Sequence, residues 1–253
     1  MRGFGNPQIT FAVESQMDII AEGIGMDPME LRLKNVVQPG DTTPCGFKIT
    51  SCGHADSIKK AAERIGWKKK RGKKGNRGVG MACMIHVSGA RVFVNCDASA
   101  AFVKVHDDGT VSVLSGASDI GQGSDTVLAQ IVAEELGMRL EDIRMIPPDT
   151  EISPMDLGTY ATKVTFIAGN AVREAARDAK RQLLQIASEM LEADPQDLVA
   201  KEGQVSVKGA PEKAIPISEI VMKAHYSSNA TPVLGRGYYD PPTHMPDPQT
   251  GIG

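Results

Sequence analysis

AFVKVHDDGTVSVL, residues 101–114, decides the fold class of this chain. Ala101 to His106 and Thr110 to Leu114 read as two strands, and Asp107-Asp108-Gly109 between them is the composition of a tight hairpin turn. Before the basic run at 68–77 the pattern is helical. After it strands and helices alternate irregularly, so the chain reads as α+β, with mixed sheets packed with helices.

Working outward, the loop Ser115 to Gly123 leads into a helix expected to bury Val127, Ile131, Val132 and Leu136. Ile143 to Ile146 is a short strand and residues 147–160 are irregular. A long helix is expected from about Thr165 to Leu191, with Val172, Ala176, Ala179, Leu183, Ile186 and Met190 at helical spacing. Asp194-Pro195 stops it and starts another helical turn. Val205 to Val207 reads as a strand and Ile217 to Ala224 as a helix. The proline-rich tail from Gly235 carries no expected core element. Toward the N-terminus, residues 79–87 read as a buried apolar strand holding Cys83 as a core residue. The basic run Lys68 to Lys74 reads as a solvated loop and the natural boundary between two parts, 1–75 and 76–253. Helices are expected at 7–24, with Ile9, Val13, Met17 and Ile20 on one stripe, from Pro28 to about Asn35, and at 56–65. Residues 36–53 read as loop.

Composition narrows the function classes. The chain has 253 residues, 41% hydrophobic, 4% aromatic, 26 glycines and a net charge of −3. That balance gives no electrostatic case for nucleic acid or a membrane surface. No apolar run approaches the roughly 18 residues of a membrane helix, and no signal peptide is visible. Cys45, Cys52, Cys83 and Cys96 form no CxxC pair, which reads as a reducing cytoplasm; Cys45 and Cys52, flanking a turn, are the one pair placed to bind metal. His54, His86, His106, His225 and His244 have no metal-ligand spacing, and no Walker, GxGxxG or GxSxG sequence is present.

Three glycine-containing loops stand immediately before helices. Met1-Arg2-Gly3-Phe4-Gly5-Asn6-Pro7 opens the chain on a turn that can pass close to a ligand, with Asn6 as N-cap and Pro7 as first helical residue. Such a start, and the uncapped tail, read as a chain cut at both ends. Ser118 to Thr126 places Gln122 between Gly121 and Gly123, offering backbone N–H groups and one neutral amide. Asp156 to Thr165 offers hydroxyls, Lys163 and free N–H groups ahead of the long helix, a cradle suited to phosphate or a pterin. Taken singly, each of the last two also reads as a capped helix after a turn.

The three loops occur in a fixed order: Arg2-Gly3-Phe4-Gly5 with Pro7-Gln8; Gly121-Gln122-Gly123 with Gln130 and Glu134-Glu135-Leu136-Gly137; and Gly158-Thr159-Tyr160-Ala161-Thr162 with Gly169-Asn170-Ala171-Val172. That ordered set resembles the molybdenum-cofactor subunit of the xanthine dehydrogenase and aldehyde oxidase family. Tyr238 to Thr243 is most similar to its bacterial branch containing 4-hydroxybenzoyl-CoA reductase.

The resemblance covers essentially the whole chain and implies a central fragment: the end of a first molybdopterin-binding domain (1–75) and the start of a second (76–253). It implies that Arg2 holds or polarises substrate and Phe4 packs on an aromatic ring. Gln122 would bond the metal's oxo ligand, with Gly3, Gly121 and Gly123 beside the cofactor. Thr159, Tyr160, Ala161, Thr162, Lys163 and Val164 would contact the pterin and its phosphate, largely through backbone. No protein side chain here would ligate the metal directly.

The implied cofactor is molybdopterin in its cytosine dinucleotide form. Iron–sulfur clusters and FAD would reside on partner subunits or domains, with the remaining molybdopterin-binding polypeptide as a third partner. The implied chemistry is hydroxylation, or reductive dehydroxylation, of an aromatic, N-heterocyclic or aldehyde substrate. The family's catalytic glutamate has no counterpart here, nor has its upstream cofactor loop, so the chain alone is expected to be inactive. A partner-binding fragment without cofactor, and a phosphate binder using residues 68–74, are the competing readings.

Overall fold

The computed structural model describes residues 3, 5–44, 46, 48–73, 75–86, 89, 96–227 and 230–242, which divide into two units, one within Met1–Val87 and one within Ser88–Pro242. In the first, helix α1 (Asn6–Gly23) is capped by Gly5, at φ 84°, and not by Asn6. The Asn6 amide instead donates to the Ile85 carbonyl at 3.1 Å. Helix α2 (Pro28–Asn35) starts as its sequence dictates, with the Asp27 carboxylate accepting the Met29 N–H at 2.7 Å.

Arg32 ties α2 to α1. It is buried, and its guanidinium donates to Glu14 Oε2 and Asp18 Oδ1, both at 2.8 Å. Glu14 Oε2 also accepts the Cys83 N–H at 2.7 Å. This explains why the strand expected at 79–87 does not form among the described residues: its backbone bonds to a carboxylate, not to a neighbouring strand, and Met84 and Ile85 stay exposed. Cys83 is accordingly half-buried, not core. On α1, Ile9, Val13 and Ile20 are exposed and Met17 is half-buried.

Helix α3 (His54–Ile65) is followed by the short α4 (Trp67–Lys70), where the sequence suggested a loop. The reason is Trp67. It is buried, its indole N–H donates to the Asp27 carboxylate at 3.1 Å, and Arg71 lies 5.1 Å over its ring while pairing with Asp27 at 3.4 Å. Part of the basic run is thereby engaged internally.

The second unit is built on the hairpin. β1 (Ser99–Val105) pairs antiparallel with β2 (Val111–Ser115), Val103 opposite Val113. Asp108 closes the turn by accepting the Thr110 N–H and hydroxyl at 2.9 and 2.7 Å. Helix α5 (Ser124–Leu136) then crosses to β3 (Ile143–Ile146), which runs parallel to β2. Its buried face is Leu128, Val132 and Leu136 with Ala129 and Ala133. Val127 and Ile131, expected inside, are half-buried, because the stripe meeting the sheet is turned by one residue.

Helix α6 (Val164–Leu191) covers the same sheet face with Ala168, Val172, Ala175, Ala179 and Leu183. A second, antiparallel sheet joins β4 (Leu198–Lys201), β5 (Gln204–Val207) and β6 (Ala210–Pro216), and α7 (Ile217–Tyr226) follows it. Only β5 of this sheet was legible in the sequence. The result is the expected α+β arrangement, with one sheet mixing parallel and antiparallel pairs.

The tail reading is corrected most clearly. Residues from Gly235 onward are not all loop: β7 (Leu234–Tyr239) pairs antiparallel with β1 and completes the sheet in the order β3-β2-β1-β7. Gly235 and Gly237 face α6 so closely that a Cβ would sit 2.0 Å from the Ala175 carbonyl oxygen and 2.1 Å from that of Ala171. Gly235→Ala or Gly237→Ala is therefore expected to destabilise the second unit by about 3 kcal/mol or more, since the clash is with helix backbone that cannot step aside. Gly80→Ala, which meets open space, is expected to change stability by less than about 0.5 kcal/mol; urea denaturation of the three variants checks both.

Candidate functional site

Two of the three loops picked out in the sequence meet. The Ser118 N–H donates to Thr159 Oγ1 at 3.0 Å, and the Thr159 hydroxyl donates back to the Ser118 carbonyl at 2.7 Å. This reciprocal pair joins segments 41 residues apart, at the sheet end where Ser99 bridges to Asp156. Gly121, Gln122, Gly123 and Thr162 face solvent there; Thr159 and Tyr160 are half-buried; Ala161, Lys163 and Val164 are buried.

Gln122 is folded back into its own loop. Its Oε1 accepts the Ile120 N–H at 2.6 Å, and its Nε2 donates to Ser118 O at 3.2 Å and Ser124 Oγ at 2.8 Å. The N-terminus of α5 is also internally supplied. Asp119 accepts the Gly121 N–H at 2.7 Å and the Asp125 N–H at 3.3 Å. Its carboxyl is held below the usual carboxylate range, first by the Gly121 bond and then by the N–H groups of Asp125, Gly123 and Ser124. Burial and the neighbouring Asp119 charge push the Asp125 carboxyl up.

The loop before α6 is built differently. Ala161 and Thr162 both have left-handed backbone, φ 49° and 53°, which costs non-glycine residues about 1–3 kcal/mol each. For β-branched Thr162 this is a genuine outlier. The N–H groups of Tyr160 and Ala161 make no hydrogen bond among the described residues. Successive free N–H groups beside left-handed residues form a concavity suited to an anion.

Lys163 was read as a cationic side chain available to a ligand or to solvent; it is neither exposed nor solvated. Its Nζ lies 3.1 Å from Asp97 Oδ1, with the two side chains 2% and 4% exposed, and 5.0 Å over the Tyr160 ring. The charges face each other without an aligned hydrogen bond. Val164 opens α6 with its side chain in the core, leaving its backbone at the loop.

Gly3, in the first unit, has φ 91°, as a turn glycine should. Arg2 and Phe4, the expected substrate contacts, and Cys45 lie outside the described residues. Among the described residues no three His, Cys, Asp or Glu side chains are grouped as metal ligands. Asp97 and Gly89 were missed as site-building residues, and Ser118 was named only as the start of its loop. No motif marks them, and their contacts span long sequence separations.

An open cleft of about 620 Å³ lies at the opposite, hairpin end of the sheet, lined by Lys104, His106, Asp107, Arg144 and His225 among others. There bonds from His225 and from the Tyr226 hydroxyl hold the Asp107 carboxyl below its usual range. The cleft touches neither glycine loop.

A family model described as molybdopterin cofactor-binding domain matches residues 55–253, and a second of the same description matches residues 1–36. The chain is 37% identical over 235 residues to the xanthine dehydrogenase molybdenum-binding subunit of Escherichia coli O157:H7, covering 89% of this chain and 31% of that one. Among solved structures, quinoline 2-oxidoreductase from Pseudomonas putida 86 superposes with a TM-score of 0.71 at 25% identity, over 92% of this chain and 32% of that one. The Cu,Mo-CO dehydrogenase does so at 0.69 and 30% identity, over 96% and 34%. The chain thus spans about a third of the length of the relatives it matches.

Asp119→Asn is expected to lower stability at neutral pH. Because the folded carboxyl titrates below its unfolded value of about 3.9, the wild-type advantage is complete above that pH. It is lost as the pH falls through the folded value. Urea midpoints of the two proteins measured from pH 7 downward should converge in acid.

Proposed function

The chain belongs to the molybdopterin cofactor-binding domain family, and from that premise we propose that it supplies part of the cofactor cradle and substrate pocket of a molybdenum hydroxylase assembly. The observation that carries this reading is the Ser118–Thr159 clamp, which joins the two glycine loops at one end of the sheet. The residues fit such a group: Tyr160 and Ala161 hold unspent backbone donors beside left-handed backbone, as an anionic pterin phosphate requires.

In this proposal Gly121, Gln122 and Gly123 form one wall and Thr159 to Val164 form the other, mainly through backbone; Gly3, in the first unit, is a further cofactor contact. Arg2 and Phe4 orient substrate, the first by charge and the second by ring packing. When bound, the molybdenum cofactor supplies redox chemistry and activates a water-derived nucleophile for an aromatic, N-heterocyclic or aldehyde substrate. Gln122 contributes a neutral amide. To meet a ligand it exchanges one of its bonds to Ser118 or Ser124, which keeps the wall uncharged and adaptable. The catalytic base comes from outside this chain.

The finer assignments are part of the same proposal. They are the cytosine dinucleotide form of the cofactor, a cytoplasmic location, and partners comprising the remaining molybdopterin-binding polypeptide, an iron–sulfur subunit and an FAD subunit. No helix among the described residues is long and apolar enough to cross a membrane. We also read residues 1–75 as the end of one cofactor-binding domain and 76–253 as the start of a second. The change from helices to a strand-built unit along the chain favours this division.

In the assembled enzyme, Gln122→Ala is expected to lower kcat by at least about tenfold, the scale of losing one placed polar group, with molybdenum content unchanged. The chain purified alone is expected to hold molybdenum well below one per chain and to turn over no substrate. Tight stoichiometric metal in the lone chain, or an unaffected Gln122 variant, would overturn the reading.

A further inference from the structure

The left-handed pair Ala161–Thr162 is held from three sides, in part by Gly89 and Asp97, which no motif marks. Behind it, the Ala161 carbonyl accepts the Gly89 N–H at 2.8 Å. Ahead of it, Lys163 turns inward to Asp97, its Nζ 3.1 Å from Oδ1. Gly89 and Asp97 are close neighbours: a Cβ on Gly89, at φ +81°, would stand 3.1 Å from Asp97 Oδ2. Asp97 is fixed in turn, its N–H donating to Asp240 Oδ1 at 3.3 Å. These neighbours form a ring, Ala161 to Gly89 to Asp97 to Lys163 and back along the chain to Ala161. On the far side, Thr159 is tied to Ser118.

We infer that the buried Asp97–Lys163 ion pair, with Gly89, is a positioning device that holds Ala161 and Thr162 in their left-handed form and so aims the Tyr160 and Ala161 N–H groups outward. This rests on the cofactor reading above only for what those groups receive.

Three observations favour positioning over plain stability. Lys163 lies next to the two strained residues, where a restraint acts on them most directly. The charges are shut from solvent, so their attraction is little screened. The Lys163 side chain is turned into the protein and away from the surface where a ligand would enter, so it serves the loop through its anchor. Left-handed non-glycine residues persist only where the surroundings over-determine them, and this ring supplies the determination.

The test is hydrogen exchange of the amides bonded at this loop, namely Gly89 N–H on the Ala161 carbonyl, Gly158 N–H on Asp156 and Lys163 N–H on the Tyr160 carbonyl, in the full chain, compared among wild type, Lys163→Met, Asp97→Asn and the double variant Asp97→Asn/Lys163→Met. Each single change breaks a buried charge pair and is expected to lower thermal stability; the double variant removes both charges and recovers part of it. If the pair positions the loop, the double variant keeps loop exchange at least tenfold above wild type, while amides inside α6 from Ala168 to Ala179 exchange as before. Loop exchange that returns to wild type together with stability would reduce the pair to a structural contact and overturn the inference. A single variant that fails to fold leaves this comparison intact, because the double variant carries it.

In the assembled enzyme, the pterin content of the double variant, read by fluorescence after oxidative release, separates the two readings. Fast loop exchange with lost pterin supports both. Fast loop exchange with full pterin keeps the positioning role and overturns the role of the 159–162 backbone in holding the cofactor.

Discussion

The second unit depends on how closely α6 can lie against β7. Gly235 and Gly237 occupy successive helix-facing positions of the strand, and opposite them α6 presents Ala171, Ala175 and Ala179. With no Cβ on one side and single methyls on the other, backbone meets backbone, and dispersion acts across a gap that larger residues would hold open. The rest of that helix face follows the same rule: Ala168, Ala176 and Ala187 are fully buried. A chain with only 4% aromatic residues can still fill a core in this way. The core is thin, so it tolerates no added atom at the seam.

That seam fixes the candidate site. Once α6 is pinned along the sheet, its first turn at Val164 has a set position beside the start of β1, and the preceding loop must complete the distance. The loop does so in strained backbone, restrained at the Ala161 carbonyl, at the Lys163 ammonium and at the Thr159 hydroxyl. The neighbouring loop has the opposite electrostatic character. Asp119 fills the α5 N-terminus with a carboxylate of its own, so the partial positive charge there is already met. In the proposed cradle, capacity for an added anion therefore lies in the Tyr160 and Ala161 N–H groups. The Gln122 loop contributes neutral, exchangeable hydrogen bonds.

The sequence was most readable where local chemistry decides local structure. Asp27-Pro28, Asp107-Asp108-Gly109 and the alanine and leucine spacing of α6 each specify their element within a few residues, and each forms. It was least readable where a distant partner decides. β7 carries two glycines that weaken any strand signal, and they make sense only against α6, about 60 residues earlier in the chain. Residues 79–86 have the apolar content of a strand but no ladder partner among the described residues, where Glu14 takes the Cys83 N–H. The glycine loops were visible singly as helix starts. Their joint meaning came from resemblance, and their contact through Ser118 and Thr159 came from the fold. Asp97 and Gly89 left no trace in local pattern, since what they do is hold a loop more than 60 residues away.

In the first unit, α1 inverts the usual amphipathic rule. Its polar side chains Glu14 and Asp18 turn toward buried Arg32, while Ile9, Val13 and Ile20 face outward. Burying a guanidinium is costly unless it is fully paired, and here two carboxylates and the carbonyls of Pro28 and Glu14 meet it. A helix that spends its inward face on ion pairing gains little from hydrophobic burial. Its outward stripe, one turn after another of exposed apolar surface, is costly in water unless another polypeptide covers it. The remaining molybdopterin-binding polypeptide, proposed above as a partner, would meet that requirement. The same helix would then serve two purposes, with its charged side organising the unit and its apolar side joining the assembly.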